Sequence, residues 1–121
     1  MNVVAFTGRL VAKPYVNFNK EKKWSFTTFS IACNERKGIV NFFRVRAVGK
    51  FAEFIGDFYE KGDLVEITGK LRVIQESYGK EVYGRYMRYE RHYIDIDTIN
   101  LMSRPNEKEE FYNIVDEDGN L

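Results

Sequence analysis

The chain has 121 residues, 44% of them hydrophobic, with 19 Lys and Arg against 18 Asp and Glu and a formal net charge of +1. That is one domain's length with enough apolar content for a core, which excludes a disordered or coiled-coil chain; the near-neutral total points to no partner. One Cys and one His exclude a disulfide framework and leave too few ligands for a zinc site.

The opening MNVVAF lacks a basic segment and reaches Arg9 within a few residues, so no signal peptide is expected. No apolar run approaches the roughly 18–20 residues of a membrane helix. The single Cys fits a reducing compartment, most simply the cytoplasm.

Period-two alternation dominates from the start. Val4, Phe6, Gly8 and Leu10 alternate with Val3, Ala5, Thr7 and Arg9 in a first strand that ends before Pro14. A second strand begins near Trp24, with Phe29, Ile31 and Cys33 on one face and Trp24 and Phe26 on the other. In the third, Phe43, Val45 and Ala47 point inward while Phe42, Arg44 and Arg46 point outward, until Gly49 breaks the run.

Residues 50–59 change period. Phe51, Phe54, Ile55 and Phe58 fall at i, i+3, i+4 and i+7, one face of a short helix, and Gly62 is placed to stop it. Val65, Ile67, Gly69, Leu71 and Val73 set out a fourth strand. Tyr78-Gly79-Lys80 and Gly84 punctuate a loop or hairpin, and a fifth strand runs through Ile94, Ile96 and Ile99 to about Met102. Three strands, one helix and two strands fit an all-β fold, a five-stranded OB-fold Greek-key barrel with one short helix between the third and fourth strands. A small open sheet covered by one helix satisfies the periodicity as well.

Charge divides unevenly along the chain. Residues 1–104 hold 18 basic and 12 acidic side chains, a net +6, while residues 105–121 hold one Lys and six acids, a net −5. The expected organisation is a basic domain over 1–104 and a short, mobile acidic tail over 105–121.

The chain as a whole also carries ten Phe, eight Tyr and one Trp, many beside Lys or Arg. An outward Phe42 flanked by Arg44 and Arg46 suits single-stranded nucleic acid, because bases stack on rings while phosphates pair with cations. It equally suits a subunit interface. Residues 78–93, YGKEVYGRYMRYERHY, interleave Tyr78 and Tyr86 with Arg85 and Arg88. Such a segment makes a wet binding ribbon or a hairpin held by cross-strand Tyr–Arg pairs. Trp24 and Phe26, preceded by Lys20, Lys22 and Lys23, repeat the pattern.

Enzyme signatures are absent: there is no GxSxG and no GxxxxGK[ST]. Asp95 and Asp97 read as a solvated strand edge, His92 as a bystander and Cys33 as core. No catalytic residue, metal ligand or cofactor is expected.

These residues also carry a resemblance. NVVAFTGRLVAKP (2–14), TTFSIACN (27–34) and NFFRVRAVGKFAEFIGDFYEKGDLVEITGKL (41–71) resemble the strands, helix and turns of bacterial- or phage-type single-stranded DNA-binding proteins, the SSB family of OB-folds, over roughly residues 2–102. The resemblance implies a non-enzymatic, largely sequence-independent binder of single-stranded DNA in replication, recombination and repair. It implies a homo-oligomer as well, usually a tetramer, with a dimer as the smaller option.

By position, Phe42 falls where the family stacks a base, and Arg44 and Lys50 fall at basic positions near the DNA path. Arg46 and Arg72 add further cations. Val48 stands where the family usually has Trp or Phe, Glu76 where it has another aromatic, which Tyr78 would replace, and Lys37 near a third, which Trp24 would cover. The family's Gly/Gln/Pro-rich linker and Ile-Pro-Phe tip are not matched; the sequence ends VDEDGNL. Docking of recombination or replication proteins through that tip is therefore not implied, and a compact member suits a phage or mobile element. A protein-interaction barrel of the primosome-adaptor type and an RNA-binding OB module are the competing readings.

Overall fold

A computed structural model describes residues 1–82 and 85–105, without the side chains of 76–88. The order is β1 (Val4–Leu10), β2 (Val16–Asn19), β3 (Trp24–Arg36), β4 (Ile39–Val48), α1 (Gly49–Phe58), β5 (Leu64–Val82) and β6 (Arg85–Ser103). The sheet runs β1-β5-β6-β4-β3-β2, and a further β1–β3 pairing joins Leu10 to Ile31 and closes five strands into a barrel. The fold is the expected OB-type barrel with one helix between its third and fourth barrel strands.

A short strand, β2, is added to the five. Its four residues pair antiparallel with β3, from Val16↔Thr27 to Asn19↔Trp24. A segment that short shows no period of its own; the edge of β3 recruits it. The buried Thr27 hydroxyl is satisfied there, donating to the Tyr15 carbonyl at 2.7 Å.

The core follows the inward alternation. Leu10, Phe29, Ile31, Val45, Val65, Ile67, Ile94 and Ile96 are buried together, and Phe6 and Phe43 pack against them with ring centroids 4.6 Å apart. The spacing Ile94, Ile96, Ile99 breaks strict alternation because β6 carries an irregularity: Thr68 pairs with Thr98 but Gly69 pairs with Ile96, leaving Asp97 as the extra residue. A bulge of this kind flips the inward set by one residue. Ile99 and Leu101 thus face the core from the other side of it.

Four details depart from the pattern. Leu71 and Val73 keep the alternation of β5 yet are exposed, because β1 covers β5 only as far as Val4↔Gly69. Beyond it the amide of Asn2 substitutes for a strand residue, donating to the Leu71 carbonyl at 2.8 Å and accepting from its N–H at 2.9 Å. On α1 the buried stripe is Ala52, Ile55 and Gly56, with Tyr59 just past the helix. Phe54 and Phe58 are exposed and stack on each other at 5.4 Å. Of the four residues expected on the inner face, Ile55 is buried and Phe51 packs against the core, while at Gly56 the helix lies so close that an added Cβ would meet Val16 Cγ2. Gly62, at φ +86°, shapes the turn into β5 rather than capping the helix, which ends on Tyr59 N–H to Ile55 O. Cys33 is half-buried near the end of β3, at the margin of the core.

Residues 78–80, expected within a loop or hairpin turn, continue the backbone of β5, and β6 resumes at Arg85. The acidic segment 106–121 lies outside the described residues.

Gly69 tests the close β5–β6 approach. An added Cβ would lie 2.2 Å from the Asp95 carbonyl oxygen and 2.8 Å from Ile94 Cγ2, neither of which can yield without moving the bulge. Gly69→Ala is expected to cost about 1–3 kcal/mol, the range of an overpacked core. Lys70→Ala, at the exposed neighbour, should stay within about 0.5 kcal/mol in the same thermal unfolding measurement.

Candidate nucleic-acid interface

Strand β4 lies between β3 and β6, so its outward side chains have neighbours on both flanks. Thr28 stands opposite Arg46 and Ser30 opposite Arg44 across the antiparallel β3–β4 ladder. On the other side β4 meets β6 in parallel, Val45 against Ile94 and Arg46 against Asp95. The register places Ile94 in the core and Tyr93 beside Arg46.

The outer faces merge into an open groove of about 450 Å³, lined by Phe26, Thr28, Arg44, Arg46, Ile74, Arg91, His92 and Tyr93. Phe42, 67% exposed, is two residues from Arg44 on the same face of β4. The phase expected for this strand holds: Phe42 and Arg44 face solvent, Val45 and Ala47 are buried, and Phe43 is half-buried against the core.

Arg46 sits among rings. Its guanidinium carbon lies 5.4 Å from the Trp24 ring centroid, 5.6 Å from Tyr93 and 5.9 Å from Phe26. Trp24 and Phe26 are themselves 5.3 Å apart and tilted. The buried Nε of Arg46 has no hydrogen-bond partner. Among the described residues no carboxylate comes within ion-pair distance of Arg46 or Arg44. Asp95, opposite Arg46 in register, instead accepts from Arg72 Nε at 3.3 Å.

The sequence-derived set therefore divides. Trp24, Phe26, Phe42, Arg44 and Arg46 come together on one face. Lys50 is exposed in the first turn of α1, outside the groove lining, and Arg72 is engaged by Asp95. The side chains of Tyr78, Arg85, Tyr86 and Arg88 lie outside the described residues. Thr28 and Ile74 join the lining without having been singled out, and Arg91 and Tyr93 join it from the interleaved segment 78–93. Only the parallel β4–β6 register brings Tyr93 to Arg46, and no local pattern announces it beyond the Tyr/Arg interleaving of 78–93. His92, read as a bystander, reaches the groove rim with Nε2 3.4 Å from Glu90 Oε2.

Rings and the guanidiniums of Arg44 and Arg46 in an open trench suit a flexible polyanion bearing planar groups. Among the described residues no cluster of three or more His, Cys, Asp or Glu is arranged to hold a metal. Tyr59, whose pKa is raised chiefly by burial and further by Asp63, against the opposing charge of Arg104, is not in the groove lining. Its hydroxyl donates to the Ile99 carbonyl at 3.3 Å.

Comparison with known proteins agrees with this geometry. A model of the single-strand binding protein family matches residues 1–102. A single-stranded DNA-binding protein of Fusobacterium nucleatum subsp. nucleatum is 34% identical over 91 residues, covering 68% of this chain and 58% of that protein. The match thus spans little more than half the length of that relative.

The partnerless Nε makes a stability prediction. Three ring contacts near the 6 Å limit contribute about 0.5–1 kcal/mol each at exposed sites. A buried donor without a partner costs about 1–3 kcal/mol. The two nearly cancel, so Arg46→Met should change unfolding free energy by less than about 1 kcal/mol, measured by denaturant titration. A larger loss would make Arg46 a structural residue.

Proposed function

The chain belongs to the single-strand binding protein family, and from that premise we propose that it binds single-stranded DNA, largely without regard to sequence, along the outer face of β3, β4 and β6. One observation carries the reading: Phe42, Arg44 and Arg46 alternate outward on one strand, and its two neighbours add Phe26 and Tyr93 to the open groove that Arg44 and Arg46 line. Bases stack on the exposed ring of Phe42, and phosphates pair with Arg44, Arg46 and Lys50. Binding needs no cofactor and no chemistry, since stacking and ion pairing are both reversible. Protection of the strand during replication, recombination or repair, and action as a homo-oligomer, tetramer or dimer, belong to the same proposal. The acidic residues beyond 105, net −5, are proposed as a tail that competes with phosphate for the basic face at low salt.

Titration with oligo-dT, oligo-rU and duplex DNA separates this function from its rivals. Oligo-dT is expected to bind best and duplex worst. Three phosphate contacts give a slope of log K against log salt of about −2, at roughly −0.7 per contact. Phe42→Ala should weaken oligo-dT binding by about 1–3 kcal/mol, roughly 5- to 150-fold, with little change in melting temperature. Phe43→Ala should instead lower stability by about 3–5 kcal/mol if its site is filled as a core site. A flat salt response with no loss in Phe42→Ala would favour a protein-docking barrel.

A further inference from the structure

Trp24, Phe26 and Tyr93 look like three more platforms for bases, but the structure already gives them an occupant. The guanidinium of Arg46 lies 5.4–5.9 Å from all three ring centroids. The rings come from two strands, β3 and β6, and enclose the arginine from either side of β4. No carboxylate among the described residues neutralises it, and Asp95, the register partner that could, is held by Arg72. A cation kept by π-faces alone retains its charge, because a ring quadrupole orients it without transferring or cancelling charge. An ion pair would have cancelled that charge. The long, flexible arginine side chain is at the same time restricted, so less rotamer freedom is lost when an anion arrives.

We infer that Trp24, Phe26 and Tyr93 are positioning residues for a phosphate site: they cage Arg46 and present its guanidinium to one backbone phosphate of the bound strand, leaving Phe42, farther along the same face of β4, as the base-stacking platform. This rests on the single-strand reading of the groove. It changes the roles within it, since two rings that composition groups with Phe42 serve the sugar-phosphate chain rather than the bases. The open volume in front of Arg46, with Arg44 also facing it, leaves room for that phosphate.

The test compares oligo-dT with an abasic strand of the same length, which keeps the phosphates and removes the bases. Affinities are measured from low to moderate salt for the wild type, Arg46→Met, Trp24→Leu, the double variant and Phe42→Ala, with melting curves for each. Arg46→Met should weaken both strands by the same factor, about tenfold, and make the salt slope shallower by about 0.7, one phosphate contact. Trp24→Leu should lose part of that affinity on both strands and move the slope in the same direction. On top of Arg46→Met it should change nothing further, because a cage without its cation has no role. Phe42→Ala should weaken oligo-dT alone. Should Trp24→Leu fail to fold, Tyr93→Leu on the other strand carries the same expectations. Loss of oligo-dT binding alone in Trp24→Leu, with an unchanged slope, overturns the inference and makes the ring a base platform. So do additive losses in the double variant. A wild type that binds neither strand would overturn the single-strand reading itself, a result distinct from any of these.

Discussion

Strands β4 and β6 meet through a parallel contact of two residue pairs, Val45↔Ile94 and Arg46↔Asp95, and both the barrel and its groove depend on it. The inward members, Val45 and Ile94, are 0% and 4% exposed and belong to the core. Their neighbours point the other way, where Arg46 comes beside Tyr93. Strand alternation ties these two consequences together, since a slip of one residue would turn every side chain to the opposite face. The contact joins residues about fifty positions apart, so its loop-closure cost must be met by burial, and the buried side of the pair supplies it. The same register therefore joins two neighbouring strands of the barrel and builds the groove.

Charge around the groove is sorted in a way that stability alone does not require. The carboxylates near it are engaged: Asp95 by Arg72, and Glu90 by His92 and Gln75. Away from it, Glu60 meets Lys13, and buried Asp63 meets Arg104 and the Glu60 N–H. Arg44 and Arg46 receive no such partner among the described residues. Partly exposed ion pairs are worth at most about 1 kcal/mol, so leaving two arginines unpaired costs the fold little. It leaves the groove positive, and an uncompensated cation in a partly desolvated trench attracts a phosphate more strongly than one in open water.

Alternation made the barrel strands and the outward phase of β4 legible, and Phe42 and Arg44 follow directly from it. Composition added Trp24 and Phe26. Long-range register escapes such reading, because nothing local in YERHY states that Tyr93 comes beside Arg46 across a parallel contact. The helix misleads in part for a related reason: of the four residues at helical spacing, Ile55 is buried and Phe51 packs against the core, but the close approach of Val16 to Gly56 turns the buried stripe toward Ala52 and Gly56. The exposed Phe54 and Phe58 are what the period predicts to be inside. Leu71 and Val73 likewise keep their alternation past the point where β1 stops covering β5. Periodicity registers which face a residue shares, and only the packing decides whether anything covers that face.

The central claim is that one face, formed by β3, β4 and β6, receives the single strand. Photocrosslinking of a uniformly substituted 5-iodo-deoxyuridine oligomer, followed by mass-spectrometric mapping of the attached peptides, tests it most directly. Crosslinks are expected at Phe42 above all, with the remainder in peptides bearing residues 24–28 and 89–93. Crosslinks concentrated instead on the exposed Phe54 and Phe58 of α1, or on the outer residues of β1, would contradict it.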